Sequence, residues 1–295
     1  MSKIANLKEY DIVLSYSFGY SQRVCTGHLF ECIEYWYILK NHYNVGIMIG
    51  DCVDFENIIS NILNKYTFTS NEIEMLLDSI HIYDNPNIVM GNKLLLVDGN
   101  FKRLKDKFLR FDKIYAFPCG VRNESDYPEN VTIFGDARIY NFKRSNFVDY
   151  KKKMLLSHLK VEHSTLEYDY MMYLTEGPRY LSNSDILNII ESKSGTFVIY
   201  TDYEINIKHP RLTVEKAPVE NIWKFKTYLY TSIERKFDCS PRFIVECKMN
   251  GLDVEYDLNY EIFEDKGLWA RFVDLSESLE RIQLNEDDFI IHLLK

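Results

Sequence analysis

Short apolar runs alternate with helical patterns through the first half of this chain, an order that specifies a mainly parallel sheet covered by helices. Residues 11–15, Val45–Ile49, 93–97, 113–117 and 131–134 read as strands. Between the first two lies the clearest helix, starting near Thr26. Its apolar positions Leu29, Cys32, Ile33, Trp36, Leu39 and Tyr43 recur with a period near 3.6 residues and predict one core-facing stripe. Residues 55–66 and 70–80 read as further helices.

The alternation resumes after a basic, turn-poor connector around residues 150–153. Residues 171–174 read as a strand, Asn183–Ser192 as a helix, and 196–201, 211–215 and 254–256 as strands. At 295 residues the chain exceeds the size at which one core keeps growing, so two domains are expected. They are placed at 1–149 and 150–295, with residues 276–295 read as a helix that packs back on the first. The expected fold class is α/β, two Rossmann-like domains facing a central cleft. Open parallel sheets take ligands beyond the carboxyl ends of their strands, so function is sought in the loops there.

Composition narrows the classes. No apolar run is long enough to span a membrane, and the polar start lacks the order of a signal peptide, which predicts a cytoplasmic protein. Cys25, Cys32, Cys52, Cys119, Cys239 and Cys247 are scattered without C-x-x-C spacing, so reduced thiols are expected and zinc is not. The net charge of −9 argues against coating nucleic acid through a global field. Locally, though, Lys102, Arg103, Lys105, Lys107, Arg110 and Lys113 outnumber Asp106 and Asp112. Such a run is either a solvated helix face or a grip on a phosphate backbone.

Three loops after strands carry candidate chemistry. The first, residues 17–28, holds Gly19 and Gly27 at positions suited to tight turns, with Arg23 between them and His28 and Glu31 on the first turn of the next helix. The G-x-G-x-x-G dinucleotide spacing is absent, which disfavours an NAD enzyme. The second begins at Asp98, placed at a strand end to take a proton from an attacking hydroxyl. Asp51 and Asp136 follow strands in the same way, and each of the three is equally a potential helix cap. The basic segment beside Asp98 favours it. The third, residues 175–179, brings Arg179 to where it would neutralise a departing diphosphate.

Residues 238–247, DCSPRFIVEC, read as a helix start built to receive an anion and a sugar hydroxyl together. Ser240 suits the cap and Pro241 the first turn, where a missing N–H costs nothing. Arg242 stands beside the free N–H groups, and Glu246 lies one turn deeper. The competing reading is a capped surface helix in which Arg242 and Glu246 form an i,i+4 pair. That pair is worth only about 0.2–0.5 kcal/mol, in the less favourable order for the helix dipole. Tyr230 and Thr231 precede the segment and are candidates to line a base or sugar pocket.

On residues 223–256, with Tyr230 and Thr231 followed by Ser240, Arg242 and Glu246, the chain resembles nucleotide-sugar glycosyltransferases of the two-domain GT-B type. Composition and length also resemble phage enzymes that transfer glucose or arabinose to 5-hydroxymethylcytosine in DNA. The resemblance implies that Glu246 binds the donor ribose, and that Ser240, Arg242 and Arg179 contact the diphosphate, with Gly19, Tyr230 and Thr231 also at the donor. It implies Asp98 as catalytic base; the loop context makes His28 a further catalytic candidate, and Arg23, Lys102, Arg103 and Lys105 are read as acceptor contacts. The expected reaction is an inverting displacement from a UDP-linked sugar onto double-stranded DNA carrying hydroxymethylcytosine. No metal is required, although a divalent ion is compatible. A surface-polysaccharide glycosyltransferase and a non-catalytic nucleotide-sugar-binding module remain alternatives.

Overall fold

The computed structural model describes residues 8–15, 27–49, 55–82, 89–97, 111–118, 123–137, 140–162, 164–174, 181–201, 204–216, 222–231, 242–257 and 279–285. The chain divides into two compact units: Met1–Leu159 together with Glu280–Lys295, and Lys160–Leu279. The boundary thus falls after residues 150–159 rather than before them. That segment belongs to the first unit, where Leu159 bridges Tyr66 and Met154 bridges Gln283. The short helix Leu279–Ile282 precedes the second of those bridges.

The first unit contains a seven-stranded, wholly parallel sheet in the order β3-β2-β1-β4-β5-β6-β7. Its strands are β1 (Lys8–Ser15), β2 (Val45–Ile49), β3 (Ile80–Ile82), β4 (Val89–Leu96), β5 (Lys113–Ala116), β6 (Val131–Gly135) and β7 (Phe147–Asp149). Ile12, Val13 and Leu14 on β1, Leu94, Leu95 and Leu96 on β4, and Val131, Ile133 and Phe134 on β6 are all buried. Consecutive buried residues mean a sheet covered on both faces, which is why these strands read as apolar runs rather than alternations. At Gly46 on β2 a Cβ would lie 2.7 Å from the Tyr10 ring, so only glycine leaves room for it.

Helix α1 (Gly27–Leu39) joins β1 to β2. A single core-facing stripe was expected, and the helix departs from it: Leu29 to Trp36, Ile38 and Leu39 are all buried. A helix enclosed on every side has no solvated face on which to leave its charges. Glu31 and Glu34 are therefore buried with it and must find partners within the protein.

Helices α2 (Phe55–Lys65) and α3 (Ser70–Ser79) follow β2. Thr69 caps α3 in a reciprocal box with Glu72, whose carboxylate also takes the Lys40 ammonium at 2.9 Å. Burial alone would raise the Glu72 pKa, but hydrogen bonds from Lys40, the Thr69 backbone, Tyr37 and the Thr69 hydroxyl outweigh it and hold it at about 2. Nearby, His158 is bonded by the Tyr37 hydroxyl at 2.8 Å and the Ser157 hydroxyl at 2.9 Å. Burial pushes its pKa down, with Lys40 acting in the same direction and Glu72 opposing.

The two shifts act on stability in the same sense. The lowered Glu72 pKa contributes stability that is full above the unfolded carboxyl value and is lost as pH falls through it toward 2. The lowered His158 pKa costs stability once pH falls below the unfolded imidazole value, because only the unfolded chain then takes the proton readily. The stability of the first unit is therefore expected to fall over two pH windows. Glu72→Gln should flatten the lower fall and His158→Gln the upper, as followed by amide exchange in α3 and α1 against pH.

The second unit carries a five-stranded parallel sheet in the order β10-β9-β8-β11-β12. Its strands are β8 (Tyr168–Leu174), β9 (Phe197–Thr201), β10 (Leu212–Glu215), β11 (Phe225–Thr231) and β12 (Asp253–Asp257), with helices α4 (Asn183–Ser192) and α5 (Arg242–Met249). Ser182 and Asp185 form a capping box at the start of α4. The far end of α4 is finished by Arg211, which donates to the carbonyls of Ile190 at 2.7 Å and Lys193 at 2.5 Å. A cation on the last carbonyls satisfies groups the helix cannot satisfy itself and complements its dipole. Arg211→Ala is expected to cost about 1–2 kcal/mol and to speed amide exchange in the last turn of α4. Exchange no faster than in the parent protein would remove the cap from the account. Gly195 follows at φ +121, where a Cβ would also lie 2.7 Å from the Asp169 carboxylate.

Candidate functional site

In both sheets the strand order reverses beside the first strand: β1 is flanked by β2 and β4, and β8 by β9 and β11. At such a switch the chain leaves neighbouring strands in opposite directions, and the carboxyl end between them is where open α/β sheets hold ligands. Each unit has one such place.

In the first unit the reversal brings Ser15 and Val97 together, the Val97 amide donating to the Ser15 carbonyl at 2.9 Å. The Ser15 hydroxyl is spent inside the sheet, donating to the Met48 carbonyl at 3.2 Å. Above these strand ends stands the first turn of α1. Lys152 reaches it from the segment after β7, and its ammonium donates to both Glu31 oxygens, at 3.1 and 2.9 Å, and to the Val97 carbonyl at 3.0 Å. Glu31 Oε2 also lies 3.3 Å from His28 Nδ1. The side chains of Glu31 and Lys152 are 8% and 12% exposed and that of His28 is 19% exposed, so the imidazole is the outermost of the three.

An aromatic layer adjoins this cluster. The Lys152 ammonium lies 5.7 Å from the centre of the Phe117 ring, which stacks on Tyr35 at 5.2 Å and packs against Tyr150 at 5.6 Å. The Tyr35 phenol is fully enclosed, and its pKa stands well above the ordinary value, first through burial and then through Tyr150, Glu31 and Glu34. It stays neutral there. Glu34, one turn along α1, accepts the Tyr66 hydroxyl at 2.8 Å. Asp136, the strand-end carboxylate after β6, is buried at 5% exposure.

In the second unit the described pairing of β8 with β11 ends at Tyr228↔Met171. The flanking pairs continue further, β8 with β9 to Leu174↔Thr201 and β11 with β12 to Thr231↔Asp257. Just past that pair Met172 and Leu229 are buried in one cluster, so β8 and β11 run on side by side toward the carboxyl edge of the sheet. Rings are gathered along β8, β11 and α5: Phe243 lies between Tyr173 and Trp223, stacked at 5.4 and 5.2 Å, and meets Tyr228 edge-on at 4.9 Å. Tyr230 packs edge-on against Tyr228 at 6.1 Å.

Helix α5 carries Arg242, partly buried, and Glu246, 8% exposed between buried Val245 and Cys247. This burial excludes the reading of Arg242 and Glu246 as a solvated surface pair. The Cys247 thiol is pushed well up, first by burial and then by the neighbouring Glu246 carboxylate. Asn250 ends the helix, its amide nitrogen bonded to the Glu246 carbonyl and its Oδ1 accepting the Glu162 amide.

Of the residues singled out in the sequence, His28 stands in the first-unit cluster, and Tyr230, Thr231, Arg242 and Glu246 lie on β11 and α5. Gly19, Arg23, Asp51, Asp98, Lys102, Arg103, Lys105, Arg179 and Ser240 lie outside the described residues. The sequence reading missed Lys152. It sits in a run of three lysines with no periodicity, and nothing local marks the one that turns inward.

Comparison with protein-family models and with curated proteins returns no match, so function has to be read from geometry. Among the described residues no helix is long and apolar enough to cross a membrane.

Proposed function

We propose that the protein is a nucleotide-sugar-dependent glycosyltransferase of the GT-B type, with the donor held by the second unit and the attacking hydroxyl activated by the first. The observation that carries this reading is the strand-order reversal at β8 and β11, together with α5, the helix between β11 and β12, which bears Arg242 and the buried Glu246. The carboxyl edge of a parallel sheet at such a reversal suits a nucleotide, and α5 supplies a cation and an enclosed carboxylate on successive turns of one helix.

In this reading Glu246 accepts the ribose hydroxyls, and Arg242, with Ser240 and Arg179, stabilises the departing diphosphate. Gly19, Tyr230 and Thr231 complete the donor contacts. The base is Asp98 or His28, both belonging to the carboxyl edge of the first sheet by their place in the chain. Displacement by a single attack predicts inversion at the anomeric carbon. The proposed acceptor is 5-hydroxymethylcytosine in double-stranded DNA, gripped through Arg23, Lys102, Arg103 and Lys105, and the donor is a UDP-sugar of the glucose or arabinose class.

The test is transfer itself. Duplex DNA containing hydroxymethylcytosine is incubated with UDP-glucose or UDP-arabinose, and the nucleosides are analysed by mass spectrometry. Addition of one sugar mass to hydroxymethylcytosine, weakening steeply as salt rises, is the expected result. Transfer to a saccharide but not to DNA would replace the acceptor, and donor binding with neither hydrolysis nor transfer to an acceptor of either kind would count against the enzyme reading.

A further inference from the structure

Away from both strand-order reversals, toward the amino edge of the seven-stranded sheet, hydrogen-bond donors gather on one face. Lys93 on β4 and Lys113 at the start of β5 are register partners, so their side chains leave adjacent strands, about 4.8 Å apart, on the same side. Side chains along a strand alternate between faces, so Tyr115 lies on that side too, as does Phe117, which stacks on Tyr35 of α1. The face is therefore the one that α1 covers. Tyr43 follows α1, its amide bonded to the Leu39 carbonyl at 3.0 Å, and the Lys93 ammonium lies 5.3 Å from the centre of its ring.

The free fold leaves these donors with little to do. Like charges on neighbouring strands repel, and Lys113 adds to burial in lowering the Lys93 pKa, with Asp11 opposing. Among the described residues Lys113 makes no ion pair or hydrogen bond. The Tyr43 hydroxyl is enclosed without a partner. Tyr115 is 4% exposed, and its hydroxyl has no hydrogen bond among the described residues either. The two phenols are near each other, since Tyr43 adds to burial in raising the Tyr115 pKa. A cation beyond the end of α1 complements the helix dipole, which accounts for Lys93 but not for Lys113 or for two phenols with nothing to donate to.

We propose that this edge is a phosphate-backbone contact, in which Lys93, Lys113 and the hydroxyls of Tyr43 and Tyr115 take a phosphodiester of duplex DNA. All four groups can donate, which is what an oxyanion asks of its site, and the two ammoniums cease to repel once an anion lies between them. Asp11, the carboxylate acting on Lys93, is itself bonded by the Asn44 amide at 2.9 Å. Lys113 is also the last member of the basic run 102–113, so further cations precede it in the chain, as a series of phosphates calls for and a single free ion does not. Such a contact positions a duplex without reading its sequence. That the duplex is also the acceptor rests on the transferase reading; the backbone contact does not.

The experiment measures binding of unmodified duplex DNA to the whole protein by fluorescence anisotropy over a range of salt, with no nucleotide sugar present. The parent protein should bind, more weakly as salt rises. Lys113→Gln should lower the salt slope by about one, the share of a single phosphate contact. Tyr43→Phe/Tyr115→Phe should weaken binding about tenfold at unchanged slope, because neutral donors release no counterions. Without DNA the same double variant should keep amide exchange along β5 as slow as in the parent, since hydroxyls without partners hold nothing together in the free fold.

Affinity and slope unchanged in both variants, or a parent protein that does not bind the duplex, overturns the contact. So does faster β5 exchange in the tyrosine variant, which would make the hydroxyls structural. Displacement of the duplex by inorganic phosphate at equal ionic strength overturns it as well, by making the ligand a free anion. Sugar transfer to DNA with binding unchanged in the variants removes this contact and leaves the transferase. The expected variant effects with no transfer from any nucleotide sugar leave the contact and count against the transferase.

Discussion

Lys152→Met should destabilise the first unit by about 3–5 kcal/mol, the range for stranding one member of a buried ion pair. The methionine fills the aliphatic volume but leaves Glu31, 8% exposed, without the ammonium that takes both its oxygens. It also leaves the Val97 carbonyl without that donor at the end of β4. The loss should be largely reversed in Glu31→Gln/Lys152→Met, because replacing both charges removes the penalty along with the attraction. Because the chain has two units, a single unfolding midpoint would mix their responses. Amide exchange along α1 is the suitable measure. Exchange as slow in Lys152→Met as in the parent protein would show that the pair contributes nothing to holding α1 in place.

Trp36→Ala should cost a similar amount, about 3–5 kcal/mol, by a different mechanism. Trp36 is 2% exposed on a helix enclosed on all sides, so the surroundings can collapse onto the vacated volume only by moving other buried groups. Trp36→Phe retains most of the area and should recover more than half of the loss. Equal destabilisation by phenylalanine and alanine would mean that the indole itself, beside the Lys40 ammonium 5.4 Å from its ring, carries the effect.

Much of the fold was legible because its parallel strands are buried on both faces and so appear as apolar runs. Val45–Ile49, 113–117 and 131–134 lie within a residue of β2, β5 and β6, and Asn183–Ser192 coincides with α4. Three strands escaped for identifiable reasons. β3 and β7 each span three residues, too few to show a pattern, and each is an edge strand of the seven-stranded sheet. β11, FKTYLYT, interleaves Lys226, Thr227 and tyrosines and reads as pocket lining rather than as the strand beside β8.

Helix α1 misled in the opposite direction. Its apolar period was real, but Glu31 and Glu34 marked no polar face: they turn into the protein toward Lys152 and Tyr66. A buried carboxylate on a helix looks the same in sequence as a solvated one, because the partner that makes it tolerable is distant in the chain. Lys152 is separated from Glu31 by most of the first unit, and only the fold brings them together. Glu246 shows the converse. It was singled out for its place one turn into a helix after a Ser-Pro-Arg start, and its burial between Val245 and Cys247 is a property only the fold shows.

The central claim is that the second unit holds a nucleoside diphosphate at the carboxyl ends of its strands, and thermal stabilisation by nucleotides tests it most directly. A ligand that binds only the folded state stabilises it by about 2.7 kcal/mol at a hundredfold excess over Kd. UDP or a UDP-sugar should raise the melting temperature, inorganic phosphate should not, and Glu246→Ala should abolish the rise while leaving the unliganded melting temperature within a few degrees of the parent. A melting temperature unmoved by every nucleotide and nucleotide sugar would contradict the account.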